Sequence, residues 1–278
     1  MTMHNDSICF IGGGNMAASI IGGLVADGRA PEGIIVADPS AEALAGLAAR
    51  WPGLRTTQDN HAAAADAGIL VLAVKPQVMR AVTEDLLPTV ARMRPLIVSI
   101  AAGVRAGDID RWLGGGHAIV RCMPNTPALV RSGASGLYAN LAVTESQRNA
   151  AERILRAVGL TLWVGNEAQL DAVTAVSGSG PAYFFYVMEA MQAAGEKLGL
   201  APEQARLLVL ETAFGAAKLA LESTDDAATL RARVTSPGGT TEQAIRTLES
   251  GGLMTLFEQA LAAAADRARE LGDELGKD

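Results

Sequence analysis

A glycine-rich turn lies between an apolar run and a helical pattern near the start of the chain, and it restricts the fold more than any other feature. The run Ile8–Ile11 leads into Gly12–Ala17, which has the spacing Gly-x-Gly-x-x-Ala. The first glycine permits a tight turn, the second lets a pyrophosphate approach the backbone, and the small last residue lets the helix pack closely on the strand. The free N–H groups at the start of such a helix favour an anion. The pattern therefore predicts a strand–turn–helix unit that binds a dinucleotide.

Residues 1–168 show alternating strand and helix patterns. The strand candidates are rich in Ile, Val and Leu with little polar alternation, which is typical of strands covered on both faces. They are Ile8–Ile11, Ile34–Ala37, Ile69–Val74, Leu96–Ile100, Ala118–Cys122, Gly136–Tyr138 and Thr161–Val164. The helix candidates between them are Met16–Asp27, Ala41–Ala49, Gln77–Val90, Ala106–Leu113 and Glu145–Val158. The alternation predicts an α/β domain with a doubly wound parallel sheet of the Rossmann type.

Residues 169–278 contain no further strand candidate, so we place a domain boundary near residue 168. The predicted helices of this half are Leu170–Leu198, Pro202–Glu222, Ala227–Arg233, Thr241–Ser250 and Leu253–Leu271. They are rich in Ala and Leu and look too apolar for one buried face each. We therefore expect an all-α C-terminal dimerisation domain that packs on a second copy of itself. A compact monomeric bundle is the alternative.

Two strand ends carry groups suited to a dinucleotide. Asp38 ends the second predicted strand, where an acid usually accepts a hydrogen bond from the adenosine ribose and repels a 2′-phosphate. It therefore favours NADH without excluding NADPH, and a helix cap is its other interpretation. Lys75 lies between Val74 and Pro76, and the proline holds it extended at the carboxyl edge of the sheet. At this edge Lys75 has two interpretations: it contacts the cofactor, or it is a solvated lysine at a turn.

Two further loops have open interpretations. Asn125, between two prolines, either orients a nicotinamide or substrate or belongs to a rigid turn capped by this residue. Ser177 lies in the run Val176–Tyr183, whose glycines and serines lower helix propensity near the start of a predicted helix. Such residues are expected where a backbone approaches another backbone or a ligand closely, although helix packing alone also accommodates them.

The segment Thr235–Gln243 predicts an anion site at the start of a helix. Thr240 and Gln243 have the spacing of a capping box. Gly238 and Gly239 leave their N–H groups open, and nearby hydroxyl groups add donors. The segment thus suits a small carboxylate, and an ordinary capped turn is the alternative. This half of the chain also has no histidine, which an alcohol dehydrogenase would use as a base, so the pattern favours reduction of a C=N bond.

Composition excludes several classes of function. The chain has 278 residues and a formal net charge of −7, without a basic cluster, so we expect no nucleic-acid partner. Cys9 and Cys122 are too few for a disulfide framework, which favours a reducing, cytoplasmic compartment. The three histidines are scattered, and we predict no metal site. The uncharged stretch at residues 7–26 contains five glycines, so we predict no membrane-spanning segment.

With these residues in view, the chain resembles the pyrroline-5-carboxylate reductases over nearly its whole length. Six motifs carry the resemblance in order along the chain. They are Gly12–Ala17, Ala73–Pro76, Ser99–Val104, Met123–Ala128, Ser177–Tyr183 and Ser236–Thr241. Each motif is unspecific alone, whereas all six in order are highly specific.

The resemblance implies hydride transfer from NADPH or NADH to the C=N bond of 1-pyrroline-5-carboxylate, giving L-proline in the last step of proline synthesis. It implies a dimer that assembles further, up to a decamer, and Thr241 as the catalytic group at the ring nitrogen. The substrate-binding residues would be Ser236, Gly238, Gly239, Thr240 and Ser177. The cofactor-binding residues would be Gly12, Gly13, Gly14, Asn15, Met16, Asp38, Asn60, Val74, Lys75, Pro76, Ala101 and Asn125.

Two positions depart from the family pattern. Asp38 stands where many members carry a small hydroxyl residue that suits NADPH, and Arg233 stands where an Asn is common. The first departure bears on the choice of cofactor, and the second bears on the hydrogen bonds of the Thr235–Thr241 segment.

Two other functions fit parts of this sequence. One is a related enzyme of the β-hydroxyacid dehydrogenase or imine reductase type, which is disfavoured by the carboxylate-binding segment and by a first long helix without lysine before Lys197. The other is a non-catalytic NAD(P) sensor, which would keep the glycine turn but not need the Thr235–Thr241 segment.

Overall fold

The structure is a computed structural model that describes residues 7–277, and these residues form two compact units. The first unit contains the residues up to Ser179 and those from Ala263 onward, and the second contains Gly180–Ala262. The domain boundary near residue 168 stays a prediction.

The described residues of the first unit form one sheet of eight strands, in the order β3-β2-β1-β4-β5-β6-β7-β8. The strands are β1 Ile8–Ile11, β2 Ile34–Ala37, β3 Arg55–Thr57, β4 Ile69–Leu72, β5 Leu96–Ser99, β6 Ile119–Met123, β7 Gly133–Ala139 and β8 Gly159–Trp163. The pairs from β3 through β6 are all parallel. This is the doubly wound order, with the chain reversing direction across the sheet at β1, and it confirms the predicted fold class.

The pair β6–β7 departs from the predicted parallel sheet, because β7 runs antiparallel to β6. A parallel neighbour needs a crossover of about a dozen residues or more, usually a helix. Between Met123 and Gly133 the chain forms only one short 3-10 turn, Thr126–Val130. The chain therefore turns back beside β6, and the parallel direction resumes between β7 and β8.

Within residues 7–179, the structure has seven α-helices. They are α1 Asn15–Ala26, α2 Ala41–Arg50, α3 Asn60–Ala64, α4 Pro76–Met93, α5 Ala106–Trp112, α6 Glu145–Arg156 and α7 Gln169–Val173. Successive residues of a strand face opposite sides of the sheet. Accordingly Ile8 and Phe10 belong to one apolar cluster, and Cys9 and Ile11 belong to another. Because both faces of the sheet are covered by apolar clusters, these strands consist of continuous apolar runs.

The predicted helix Leu170–Leu198 is not continuous. After α7 the chain forms a π-helical turn, Thr174–Gly178, in which the N–H of Ser179 donates to the carbonyl of Thr174 at 2.8 Å. The next helix, α8, begins at Gly180 and ends at Lys197. The glycines and serines at this point favour the break, because they stabilise a regular helix poorly.

The second unit contains α8 and the helices α9 Pro202–Glu222, α10 Ala227–Arg233 and α11 Thr240–Ser250. The last helix, α12 Leu253–Leu275, begins in the second unit and ends in the first. Its end contacts the loop after β5, where Arg105 Nη2 lies 2.6 Å from Asp273 Oδ1. Among residues 7–277, no helix has both the length and the apolar character that a membrane crossing requires.

Candidate functional site

The glycine turn joins three strands at the carboxyl edge of the sheet. Gly12 follows β1 with a φ of +103°, which favours glycine, and its N–H donates to the carbonyl of Ala37 at the end of β2 at 2.7 Å. A Cβ atom on Gly12 would lie 2.7 Å from the carbonyl oxygen of Ala73, at the end of β4. The turn is therefore packed against backbone on both sides, and only glycine fits at this position.

The start of α1 is open. Gly14 precedes the helix as its N-cap, no side chain caps the first turn, and a Cβ on Gly14 would contact nothing within 4 Å. Asn15 is exposed and Met16 is half-buried, whereas Ala17 is 1% exposed against the sheet. The unpaired N–H groups of a helix start carry partial positive charge, so this end suits a phosphate.

Asp38 lies at the same edge, directly after β2. Its Oδ2 accepts the N–H of Gly13 at 2.8 Å, and its Oδ1 accepts the N–H of Ser40 at 2.8 Å. The cap of α2 is Ser40, whose hydroxyl accepts the N–H of Ala43, so the interpretation of Asp38 as the helix cap is wrong. The carboxylate instead stabilises the glycine turn through the N–H of Gly13 and places a negative charge beside the turn.

Other predicted cofactor residues lie at the carboxyl ends of neighbouring strands. Lys75 is exposed and extended as the N-cap of α4, with Pro76 as the first helical residue and Val74 half-buried before it. Asn60 is the first residue of α3, and Ala101 is buried just beyond β5. The carboxyl edge of a doubly wound sheet is where ligands bind. Each of these residues is thus in place for a dinucleotide, and its contact with one stays a prediction.

Asn125 joins three segments of the first unit. Its Oδ1 accepts the N–H of Ala134 at 2.9 Å, and its Nδ2 donates to the carbonyl of Ser177 at 3.0 Å. It makes no side-chain cap to the 3-10 turn that follows, so the capping interpretation is wrong. The Ser177 hydroxyl donates to the carbonyl of Val173 at 3.1 Å. These bonds fix the positions of both residues, and their ligand contacts stay predictions.

The predicted anion segment is a tight turn before α11. The N–H of Gly239 donates to the carbonyl of Ser236 at 3.0 Å, and Gly238 has a φ of +72°. The predicted capping box is wrong, because α11 begins at Thr240, its N-cap is Gly239, and no side chain caps it. The N-cap lies one residue earlier than predicted.

The N–H of Gly238 is not open as the sequence suggests. It donates to Glu242 Oε2 at 2.8 Å, while Glu242 Oε1 lies 3.1 Å from Arg246 Nη2. Sequence reasoning assigned no role to Glu242. The signal was available, since a glutamate in the third position of a helix commonly reaches back to a preceding N–H group.

The groups that stay available in this segment are at the start of α11. In the part of the chain that the structure describes, the N–H groups of Thr240 and Thr241 have no hydrogen-bond acceptor. The hydroxyl groups of Thr240, Thr241 and Ser236 have no hydrogen-bond partner there either. Two adjacent amides at a helix start, flanked by hydroxyls, can bind a carboxylate. The structure thus favours Thr240 and Thr241 over Gly238 and Gly239 as amide donors.

Arg233 does not bond to this segment. Its guanidinium pairs with Asp225, in the connection between α9 and α10. Cys9 and Cys122 are free and buried, and burial raises the pKa of the Cys9 thiol to about 12 and also raises the pKa of the Cys122 thiol. Both thiols therefore stay protonated near neutral pH and are not nucleophiles. Residues 7–277 contain no group of three or more metal-ligating side chains placed to hold an ion.

Comparison with known proteins gives matches along both units. A family model described as pyrroline-5-carboxylate reductase dimerisation matches residues 167–271, and one described as NADP oxidoreductase, coenzyme F420-dependent, matches residues 7–103. A pyrroline-5-carboxylate reductase of Pseudomonas aeruginosa is 53% identical over 275 residues, which are 99% of this chain and 100% of that protein.

Two solved structures are similar to this chain in fold. A pyrroline-5-carboxylate reductase from Coxiella burnetii is 50% identical, with a TM-score of 0.92 over 95% of this chain and 98% of that one. The pyrroline carboxylate reductase of Plasmodium falciparum, solved with NADP bound, is 28% identical, with a TM-score of 0.84 over 98% of this chain and 100% of that one.

Proposed function

Because the chain belongs to the pyrroline-5-carboxylate reductase family, we propose that it transfers a hydride from NAD(P)H to the C=N bond of 1-pyrroline-5-carboxylate and forms L-proline. The observation that carries this proposal is that the family match runs almost end to end, through both the glycine turn and the amide-bearing turn before α11. A sensor that only bound a dinucleotide would need the first turn and not the second.

The residues around the glycine turn fit a dinucleotide. A Cβ on Gly12 would collide with backbone, whereas Gly14 faces open space that a pyrophosphate can enter. When bound, NAD(P)H supplies the hydride. The N–H groups of Asn15 and Met16 would hold the pyrophosphate, and Asp38 would accept a hydrogen bond from a ribose hydroxyl. The residues that would line the rest of the cofactor groove are Gly13, Asn60, Val74, Lys75, Pro76, Ala101 and Asn125.

The turn before α11 binds the substrate in this proposal. The N–H groups of Thr240 and Thr241 and the hydroxyl of Ser236 hold the carboxylate, while Gly238 and Gly239 shape the turn. The Thr241 hydroxyl bonds to the ring nitrogen. When that nitrogen is protonated, Thr241 Oγ1 accepts its N–H. Hydride addition to the ring carbon then moves the C=N electron pair onto nitrogen, so no protein group has to give up a proton in that step.

The Thr241→Ala variant is expected to lower kcat by about tenfold to a hundredfold, because a hydrogen bond to the reacting nitrogen is worth about 1–3 kcal/mol. The KM for NAD(P)H should stay within about twofold, since Thr241 does not touch the cofactor in this proposal. Thr241→Ser keeps the hydroxyl and is the control. Steady-state rates measure both effects, and wild-type turnover by Thr241→Ala would remove the assigned role.

Steady-state kinetics of the wild type test the function itself. We expect NAD(P)H oxidation with 1-pyrroline-5-carboxylate and none with larger cyclic imines, and no reduction of NAD(P)+ with hydroxyacids. Turnover of those compounds without turnover of 1-pyrroline-5-carboxylate would favour the related dehydrogenase or imine reductase function.

The helical unit supports self-association. Large apolar side chains are strongly exposed on α8 and α9, among them Phe184, Phe185, Tyr186 and Phe214, each more than 60% exposed. Exposed apolar surface of this kind usually marks an interface. We propose a homodimer as the basic assembly, with larger oligomers up to a decamer built from it, and sedimentation equilibrium measures the size. The free buried thiols suit a reducing compartment, so we propose the cytoplasm as its location.

A further inference from the structure

We propose that Glu242 is a positioning residue, which holds the Pro237–Gly238 peptide group in one orientation and so fixes the turn that binds the substrate carboxylate. This inference deepens the proposed function and rests on it. It is carried by the hydrogen bond from the N–H of Gly238 to Glu242 Oε2, at 2.8 Å.

The turn has the features of a type II β-turn. Pro237 is its second residue, Gly238 is its third with a φ of +72°, and the N–H of Gly239 closes it on the carbonyl of Ser236 at 3.0 Å. In a type II turn the closing bond does not use the N–H of the third residue. That N–H therefore needs another acceptor, and Glu242 provides it.

The sequence of the turn does not by itself select this orientation. A type I turn has the same ends but its central peptide group is rotated by about 180°, and proline in the second position suits both types. Glycine in the third position accepts both sets of dihedral angles. An acceptor that engages the N–H of Gly238 stabilises only one of the two orientations. A carboxylate does this well, because bonds to a charged acceptor are roughly twice as strong as neutral ones.

Ordinary helix capping does not explain the contact fully. A glutamate in the third helical position usually bonds to the N–H of the N-cap residue. Here the N-cap is Gly239, whose N–H is already bonded to Ser236, and Glu242 reaches one residue further back to Gly238. The bond thus acts on the turn and not on the helix end.

The carboxylate of Glu242 is itself held in place. Its other oxygen lies 3.1 Å from Arg246 Nη2, one helical turn later, and the side chain is only 27% exposed. A negative charge in the first turn of α11 is also favoured by the helix dipole. The guanidinium and the dipole offset the charge of Glu242 beside a site that receives another carboxylate.

A turn held in one orientation binds its ligand more tightly than one that samples two. Without the Glu242 contact, carboxylate binding would have to select one orientation of the turn, and affinity falls by the cost of that selection. The positions of Ser236 and of the Thr240 and Thr241 amides depend on this turn. The expected defect is therefore in substrate and product binding.

The kinetic test compares Glu242→Ala with Glu242→Gln. Glu242→Ala is expected to raise the KM for 1-pyrroline-5-carboxylate and the inhibition constant of L-proline by about five- to tenfold, the loss expected for a charge-assisted hydrogen bond. The kcat and the KM for NAD(P)H should change less than twofold. Glu242→Gln keeps an oxygen acceptor and should recover most of the binding. Glu249→Ala is the matched control, because Glu249 lies on the same helix and its carboxylate pairs with Arg231 and not with an N–H group of the turn.

Hydrogen exchange measured by mass spectrometry gives a readout independent of activity. Exchange in the 236–241 segment should be faster in Glu242→Ala than in the wild type and near wild type in Glu242→Gln, with the rest of α11 unchanged. Unchanged KM values in Glu242→Ala would overturn the proposal, and so would faster exchange along the whole of α11, which indicates fraying of the helix. If the wild type fails to reduce 1-pyrroline-5-carboxylate, the proposed function fails, while the exchange result still tests the role of Glu242 in the turn.

Discussion

Replacing Gly12 with Ala is expected to lower thermal stability and to raise the KM for NAD(P)H by more than about a hundredfold, since misplacing a binding group by about 1 Å can cost that much. The added Cβ would lie 2.7 Å from the carbonyl oxygen of Ala73, and the φ of +103° is strained for alanine. Such strain costs about 1–3 kcal/mol, which corresponds to a fall in Tm of roughly 3–10 °C. Calorimetry and steady-state kinetics measure the two effects.

Gly14→Ala separates cofactor binding from folding. Its Cβ would contact nothing within 4 Å of the protein, so stability should change by no more than about 1 kcal/mol. The KM for NAD(P)H should still rise, because the Cβ enters the space proposed for the pyrophosphate. Gly46→Ala, in the exposed middle of α2, is the control and should leave the KM unchanged. A wild-type KM in both Gly12→Ala and Gly14→Ala would contradict the assignment of this turn to the cofactor.

The Asp38→Ser variant is expected to shift the ratio of kcat/KM for NADH to kcat/KM for NADPH toward NADPH by roughly tenfold to a hundredfold. The carboxylate of Asp38 lies beside the glycine turn, held by the N–H groups of Gly13 and Ser40. A 2′-phosphate approaching it meets a like charge, which costs about 1–4 kcal/mol at 4 Å near a protein surface. The wild type should therefore prefer NADH.

Asp38→Asn distinguishes the charge from the hydrogen bonds. It keeps one oxygen acceptor for the turn and removes the negative charge, so it should also shift toward NADPH while disturbing the glycine turn less than serine does. A tenfold preference of the wild type for NADPH would refute the role of Asp38 in cofactor choice.

The fold around the glycine turn follows from local sequence. The bounds of β1 and β2 agree with the predicted ones, because both strands consist of four consecutive fully covered residues and polar or glycine residues follow them. By contrast β3 Arg55–Thr57 was not predicted. It is a three-residue edge strand of partly or fully exposed polar residues, so it leaves no apolar run to detect. The short helix α3 was missed for a similar reason, since five residues show no period.

Several bonds within the first unit join residues far apart in sequence, and no periodicity encodes them. Arg121, the middle residue of β6, pairs with Glu167 at 2.8 Å, and Glu167 Oε1 also accepts the N–H of Ala106 at 2.6 Å. Asn125 likewise reaches Ser177 only through the fold. Sequence motifs locate such residues near a site, but only the tertiary arrangement shows which of their donors and acceptors are already engaged.

The path of the last helix has a consequence for how the protein is made. In sequence, the second unit, residues 180–262, interrupts the first unit. The first unit resumes at Ala263. The end of α12 packs beside Gly103, where a Cβ would lie 3.2 Å from Leu275 Cδ1. During translation, the residues of the first unit up to Ser179 leave the ribosome before the end of α12, which completes that unit, is synthesised. The final folding step of the first unit therefore waits until α12 has been synthesised.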